Sequence, residues 1–176
     1  MKFHFQRFNL YLLASALALP LALACGCKTA GQHRQDKVVS TFRLHLEENP
    51  GSGESTALIQ LAGVELYVNN QPFLDERSVT NATVVDTRDG GYAMRVQFDK
   101  HGTLVLDSVT TALRGRRIAI FTQFGAGKPE HSRWLAAPYG APITDGVLLF
   151  TPAATREESE EIVLGLNHVA KKAGNR

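Results

Sequence analysis

The side chains able to do chemistry are few and scattered. Asp99-x-His101 sets a carboxylate and an imidazole two residues apart at the end of a β-rich run, and His131 further along could supply a third ligand. Together they have the donor types that bind zinc. No HExxH, paired CxxC or close His cluster accompanies them, and the other histidines stand alone at 4, 33, 45 and 168. A turn between strand and helix therefore accounts for Asp99 and His101 better than a metal site does. Ser108 adjoins Asp107 with His101 earlier in the same stretch, the residue types of a nucleophilic triad, but the G-x-S-x-G elbow is missing. Gly125-Ala-Gly-Lys128-Pro129 has the glycines and lysine of a phosphate loop without the full Walker spacing, and Pro129 stands where Ser or Thr would hold magnesium. An exposed turn explains it better. The remaining pair, Cys25-Gly-Cys27, has the C-x-C spacing of a metal or redox site. The sequence thus assigns no catalytic, metal or cofactor-binding residue, and no cofactor is expected.

The cysteines gain a different meaning from what precedes them. Lys2 and Arg7 form a positive n-region, Leu10 to Ala24 is an apolar run too short for a comfortable membrane span, and Ala22-Leu23-Ala24 is an A-x-A cleavage pattern. Residues 1–24 read as an export signal. Leu21-Ala22-Leu23-Ala24-Cys25 also resembles the lipobox of bacterial lipoprotein precursors, which makes Cys25 the expected lipidation site, with Cys27 after Gly26 as the alternative. Both of the chain's cysteines lie here, so the folded domain is expected to carry no disulfide of its own. Gly26 carries no Asp-type inner-membrane retention signal of the kind known for enterobacterial lipoproteins. The expected location is therefore the cell envelope facing the periplasm, on the outer membrane.

Charge excludes one function class. Of the 19 basic residues, Lys2 and Arg7 leave with the signal; the remaining 17 equal the 17 acidic ones. Such a balance lacks the global positive field that draws a protein onto nucleic acid. The densest basic cluster, Arg114-Gly-Arg116-Arg117, is expected at a helix C-terminus, where it complements the dipole; anionic lipid or an acidic partner is the other reading. Trp134, the only tryptophan, is expected to pack in the core or at an edge, and Tyr139 in its Pro-Gly-rich loop is the better exposed-contact candidate.

The elements that must position these residues follow from periodicity. Residues 25–37 make a lipidated N-terminus and a polar tether without apolar period, and a single domain is expected over 38–172. Phe42, Leu44 and Leu46 alternate with Arg43, His45 and Glu47 as in a half-buried strand. Ala57 to Val68 offers one or two strands bent at Gly63, and Ala82–Asp86 and Gly91–Phe98 form a hairpin around Arg88-Asp-Gly-Gly, with Met94, Val96 and Phe98 on one face. His101 to Leu113 reads as a helix burying Leu104, Leu106, Val109 and Leu113, ended by Gly115. Arg116 to Phe124 is the most continuous apolar run and the expected central strand; Ser132–Ala137 and Gly146–Phe150 are shorter ones. Thr155-x-x-Glu158 is a capping box before a helix with an Ile162, Val163, Leu166, Val169 stripe. The order predicts α+β, a mixed or mostly antiparallel sheet with two main helices packed on one face.

In this order, Val109-Thr110, Gly115 with Arg117-Ile118-Ala119-Ile120, Ala136-Ala137-Pro138, Ile143 with Gly146, and Phe150-Thr151 with Glu157-Glu158 resemble the head subdomain of the first periplasmic domain of SecD/SecDF preprotein translocase subunits. The resemblance covers about Val79 to Ala170. Gln123-Phe124-Gly125 replaces the Asp-Gly turn usual after the family's central strand, and the family's proton-conducting membrane helices and large base subdomain have no counterpart here. The resemblance implies a free-standing head-like module whose relatives contact emerging or unfolded polypeptide.

The function this predicts is a membrane-anchored envelope lipoprotein acting as a binding module linked to protein export. Its expected partners are the membrane, through the lipid anchor, and export machinery or unfolded exported polypeptide, with no nucleic acid and no small-molecule substrate. The alternative is a small exported metal-dependent or hydrolytic enzyme using Asp99, His101 or His131.

Overall fold

The computed structural model describes residues 39–51, 55–125 and 131–174, over which nine strands, two α-helices and a short 3-10 helix (Glu76–Ser78) follow one another. These lie in the second of the chain's two units, Lys37–Arg176. The export signal, Cys25, Cys27, the tether, the expected domain start at Val38 and most of the Gly125–Pro129 turn lie outside the described residues.

Strands β1 (Thr41–Leu46), β4 (Leu74–Asp75), β7 (Ile118–Gln123) and β8 (Ser132–Ala136) make a four-stranded sheet in the order β4-β1-β7-β8. Strands β5 (Val79–Asp86), β6 (Tyr92–Phe98) and β9 (Val147–Phe150) make a three-stranded one, and β2 (Thr56–Leu61) pairs only with β3 (Val64–Asn69). Every pairing is antiparallel. The α+β expectation holds, with the strands divided among three sheets rather than joined in one. The run Arg116–Phe124 does supply the central strand, held between β1 and β8 so that neither of its edges is open.

The two larger sheets meet through side chains that alternation sends to one side. Phe42 and Leu44 of β1 face the core with their cross-strand partners Thr122 and Ile120. From the other sheet come Met94, Val96, Phe98, Leu148 and Phe150. The Phe42 ring lies 6.4 Å from that of Phe98 and 6.1 Å from that of Phe150. Burying one such ring contributes about 1.5–3 kcal/mol.

Both helices close on this same cluster. Asp99 caps α1 (Lys100–Ala112) by accepting from the Gly102 amide at 2.6 Å. The helix buries Gly102, Leu106 and Thr110, one turn apart each, and leaves Leu104 61% exposed. This differs from the expected stripe. The Thr110 hydroxyl donates to the Leu106 carbonyl and accepts from the Ile143 amide at 3.0 Å, so a polar residue holds an apolar position because it ties down the loop between β8 and β9. In α2 (Arg156–Gly174) the capping box forms as expected: Thr155 Oγ1 accepts from the Glu158 amide at 3.2 Å, and Glu158 Oε2 accepts from the Thr155 amide at 2.9 Å. Ile162 and Leu166 are fully buried.

The β2–β3 hairpin covers the opposite face of the four-stranded sheet. Its turn is Ala62-Gly63, both with positive φ (51° and 80°), the primed geometry that two-residue hairpins favour. Ile59, Leu66 and Val68 pack on Ala119, with Trp134 and Ala137 at the margin. That cover buries His45, which alternation alone would leave on the wet side of β1.

Candidate binding groove

The hairpin tip, the end of β8 and the segment after β9 enclose an apolar groove of about 500 Å³, within the size range of ligand-binding clefts. Leu61, Ala62, Val64 and Leu66 form the hairpin wall, Leu135 to Pro138 the strand wall, and Phe150 to Ala153 the third side. The Ala153 amide donates to the Leu135 carbonyl at 2.6 Å and fixes the third side against the second.

Local backbone pairing leaves an edge open here. The Ile118 amide donates to the Pro138 carbonyl at 2.9 Å and the Gly140 amide to the Arg116 carbonyl at 2.8 Å. Because neighbouring residues of an extended strand turn their polar groups to opposite edges, Ala137 points its amide and carbonyl away from β7. Among the described residues no hydrogen bond uses either group, and Ala137 lines the groove. An apolar trough beside a free strand edge can take an extended peptide: main-chain bonds give affinity and the trough receives side chains.

Arg117 borders the groove with its charge committed. Its Nη2 donates to the Tyr139 hydroxyl at 2.7 Å and its guanidinium lies 4.7 Å from the centre of that ring. Its backbone amide donates to Glu47 Oε2 at 2.7 Å, while Arg116 donates to the Glu47 carbonyl and pairs with Glu48 at 3.3 Å. The basic cluster therefore secures the start of β7 to the end of β1, rather than complementing the C-terminus of α1. Tyr139 is 66% exposed, as expected of a contact residue. Trp134 packs edge-on against His45 (5.1 Å) and Phe121 (5.2 Å), from β8 at the outer end of its sheet, in keeping with the expected packing role.

The residues singled out for metal or hydrolytic chemistry have other occupations. Asp99 is spent capping α1. His101 is exposed and borders a separate hollow with Asp75, Arg77 and Ser78. His131 lies against the Phe124 ring at 5.1 Å, its Nδ1 buried without a hydrogen-bond partner among the described residues. Asp107 accepts from Thr111, not Ser108, and Ser108 faces solvent. Among the described residues no group of three His, Cys, Asp or Glu side chains could hold a metal ion.

Three carboxylates are shifted by neighbours, among them Asp89, which a hydrogen bond from the Thr87 hydroxyl holds below the usual range. The Arg77 side chain donates to Asp75 and holds its carboxyl below the usual range; a hydrogen bond from its own backbone amide, then one from Thr155, does the same for Glu157. His45 is also lowered, chiefly by burial. The hydrogen bond to the Asn69 carbonyl opposes the shift and the Arg43 charge adds to it.

The fold and groove define an antiparallel α+β module with a peptide-sized apolar cleft. In three dimensions it is similar to the structure of SecDF described as a membrane component that enhances protein export: TM-score 0.57 and 19% identity, over 82% of this chain and 70% of that one. A second SecDF structure, in its super-membrane-facing form, matches at TM-score 0.57 and 19% identity, over 81% of this chain and 21% of that chain. The chain shares the fold of a SecDF domain, over more of its length than Val79–Ala170, where the sequence resemblance rests. No protein-family model and no curated protein matches it. Among the described residues no helix is long and apolar enough to cross a membrane.

The groove itself escapes sequence reasoning. Ala136-Ala137-Pro138 is part of the sequence resemblance, but the open edge depends on which neighbour pairs with β7. The hairpin wall depends on β2 and β3 standing apart from the larger sheets.

Proposed function

We propose that this chain is a cell-envelope binding module, anchored through a lipid on Cys25, or on Cys27 as the alternative, that holds extended apolar segments of exported polypeptide in the groove. The observation that carries the reading is the pairing of an apolar cleft with an unpaired strand edge at Ala137 on a SecDF-type fold. A groove of small and aliphatic side chains suits alternate residues of an unfolded chain, which presents apolar groups without a fixed sequence. The anchor keeps the module at a membrane surface facing the periplasm that exported chains cross: two or more acyl chains hold stably, where one holds only marginally. The periplasmic face of the envelope, on the outer membrane, is the proposed location, and the reading is of a binding role rather than an enzymatic one.

In-cell crosslinking of the tethered protein, with mass spectrometry of what it captures, tests this directly. Recovery of translocase subunits or nascent exported chains, lost in a Cys25→Ala form, supports the export role. Recovery of an unrelated envelope complex, or nothing above that control, means that the fold is shared and the role is not.

A further inference from the structure

We propose that the β2–β3 hairpin is a movable wall of the groove, latched by neutral His45 and released when that imidazole takes up a proton. The hairpin belongs to neither larger sheet. It is attached by the small Ile59, Leu66, Val68 and Ala119 cluster, by the bridge between Glu47 and Val68, and by the Glu48 amide donating to the Tyr67 carbonyl at 2.8 Å. An element held by few buried contacts opens at lower free energy than the core it rests on.

His45 sits at that junction. It is 7% exposed, and its Nδ1 lies 2.8 Å from the carbonyl of Asn69, the last residue of β3. A carbonyl only accepts, so Nδ1 carries the hydrogen, and a second proton goes to Nε2. That nitrogen has no hydrogen-bond partner among the described residues. The elements packed on the ring bring Ala119 from β7, Trp134 from β8 and the Asn69 carbonyl from β3, all uncharged. The charge that acts on it is Arg43 of its own strand, which repels an imidazolium. Glu47, two residues further on and just past the end of β1, already accepts from the Arg117 amide.

The sign follows from burial. In the closed state the imidazole binds its proton less readily than its ordinary value of 6.5, and opening restores that value. The closed state is fully favoured above pH 6.5 and loses ground as pH falls from there toward the lowered value. Since the hairpin supplies Leu61, Ala62, Val64 and Leu66, its release widens the groove. The inference does not depend on what the groove holds.

The full chain provides its own reporter, because Trp134 is the only tryptophan and touches His45 edge-on. Between pH 7.5 and 5.5, Trp134 emission and hydrogen exchange of the 56–69 amides, corrected for intrinsic rates, are followed in the wild type and in His45→Asn, whose amide replaces the Nδ1–H donor without titrating. The expected result is exchange that accelerates toward low pH by up to about tenfold per pH unit in the hairpin but not in β6, with emission changing in parallel, and neither change in His45→Asn. Hairpin exchange independent of pH overturns the proposal, as does an equal response in the variant or emission that changes without exchange. Should His45→Asn fail to fold, the His45 titration midpoint by NMR must coincide with hairpin opening in the wild type; separate midpoints overturn it equally.

Discussion

Asn167 of α2 grips Ala82 of β5 by both backbone groups. Its Oδ1 accepts from the Ala82 amide at 2.8 Å and its Nδ2 donates to the Ala82 carbonyl at 2.9 Å. The carboxamide thereby acts as a one-residue strand on the outer edge of the three-stranded sheet, an edge that otherwise invites pairing with another chain. Asn167→Asp keeps the shape and one acceptor but loses the donor and sets a carboxylate against the carbonyl. The expected cost is about 1–3 kcal/mol, read as a lower denaturant midpoint at unchanged m-value, with Asn167→Gln intermediate.

Gly165 sits where α2 comes closest to the chain entering β1. A Cβ there would lie 2.6 Å from the Ser40 amide nitrogen, so Gly165→Ala meets backbone that cannot step aside. Alanine improves helix propensity by about 1 kcal/mol, and the clash outweighs it. A net loss of about 2 kcal/mol or more is expected in thermal or chemical unfolding. Ser40→Ala should be neutral or stabilising, because the Ser40 hydroxyl is buried without a partner among the described residues.

Ala62 holds a left-handed conformation in the hairpin turn that asparagine adopts more readily. Ala62→Asn is expected to stabilise the hairpin by about 0.5–1 kcal/mol. Slower exchange of the 56–69 amides at constant pH would register it; unchanged exchange would mean that the turn does not limit opening.

Local chemistry made much of this fold readable. Alternation placed Phe42 and Leu44, Thr155-x-x-Glu158 gave the start of α2, and Arg88-Asp-Gly-Gly gave the β5–β6 hairpin. What failed depended on partners distant in sequence. Leu104 looks like a core residue of α1, but Thr110 takes the buried position because the Ile143 amide needs its hydroxyl. His45 looks wet until the β2–β3 hairpin covers it. Arg116 and Arg117 look like helix-end charges until Glu47, Glu48 and Tyr139 are seen beside them. The groove is legible only in space, since its three walls come from stretches beginning at 61, 135 and 150.

If the groove holds polypeptide, a charge on its wall should block capture without unfolding the domain. Val64 lines the groove yet is 45% exposed, so Val64→Asp desolvates a carboxylate only when the groove is filled. Crosslinked yield in cells is expected to fall by about tenfold, the equivalent of 1.4 kcal/mol, with the melting temperature within about 2 °C of wild type. Ala137→Pro removes the free edge amide while keeping an apolar surface, and a drop in yield there would separate main-chain pairing from hydrophobic contact. Yield unchanged in both variants would place the captured chain elsewhere on the protein.

Acid should destabilise the domain in two separate windows, because His45 and Asp75 both have lowered folded-state values but start from different ordinary ones. For His45, burial lowers the folded-state value, so stability is complete above the ordinary value of 6.5 and declines as pH falls below it. For Asp75, the Arg77 side chain lowers the folded-state value, so its contribution is present above the ordinary value of 3.8 and disappears as pH falls through the depressed one. Arg77 is largely exposed, which keeps the Asp75 contribution small, within about 1 kcal/mol. Chemical denaturation from pH 8 to pH 3 should therefore show a first loss beginning below 6.5 and a second beginning below 3.8. His45→Asn should remove only the first, and Asp75→Asn should diminish only the second, which it shares with Asp89 and Glu157. A single transition that neither substitution alters would assign the acid response to other groups and leave the hairpin latch without a thermodynamic signature.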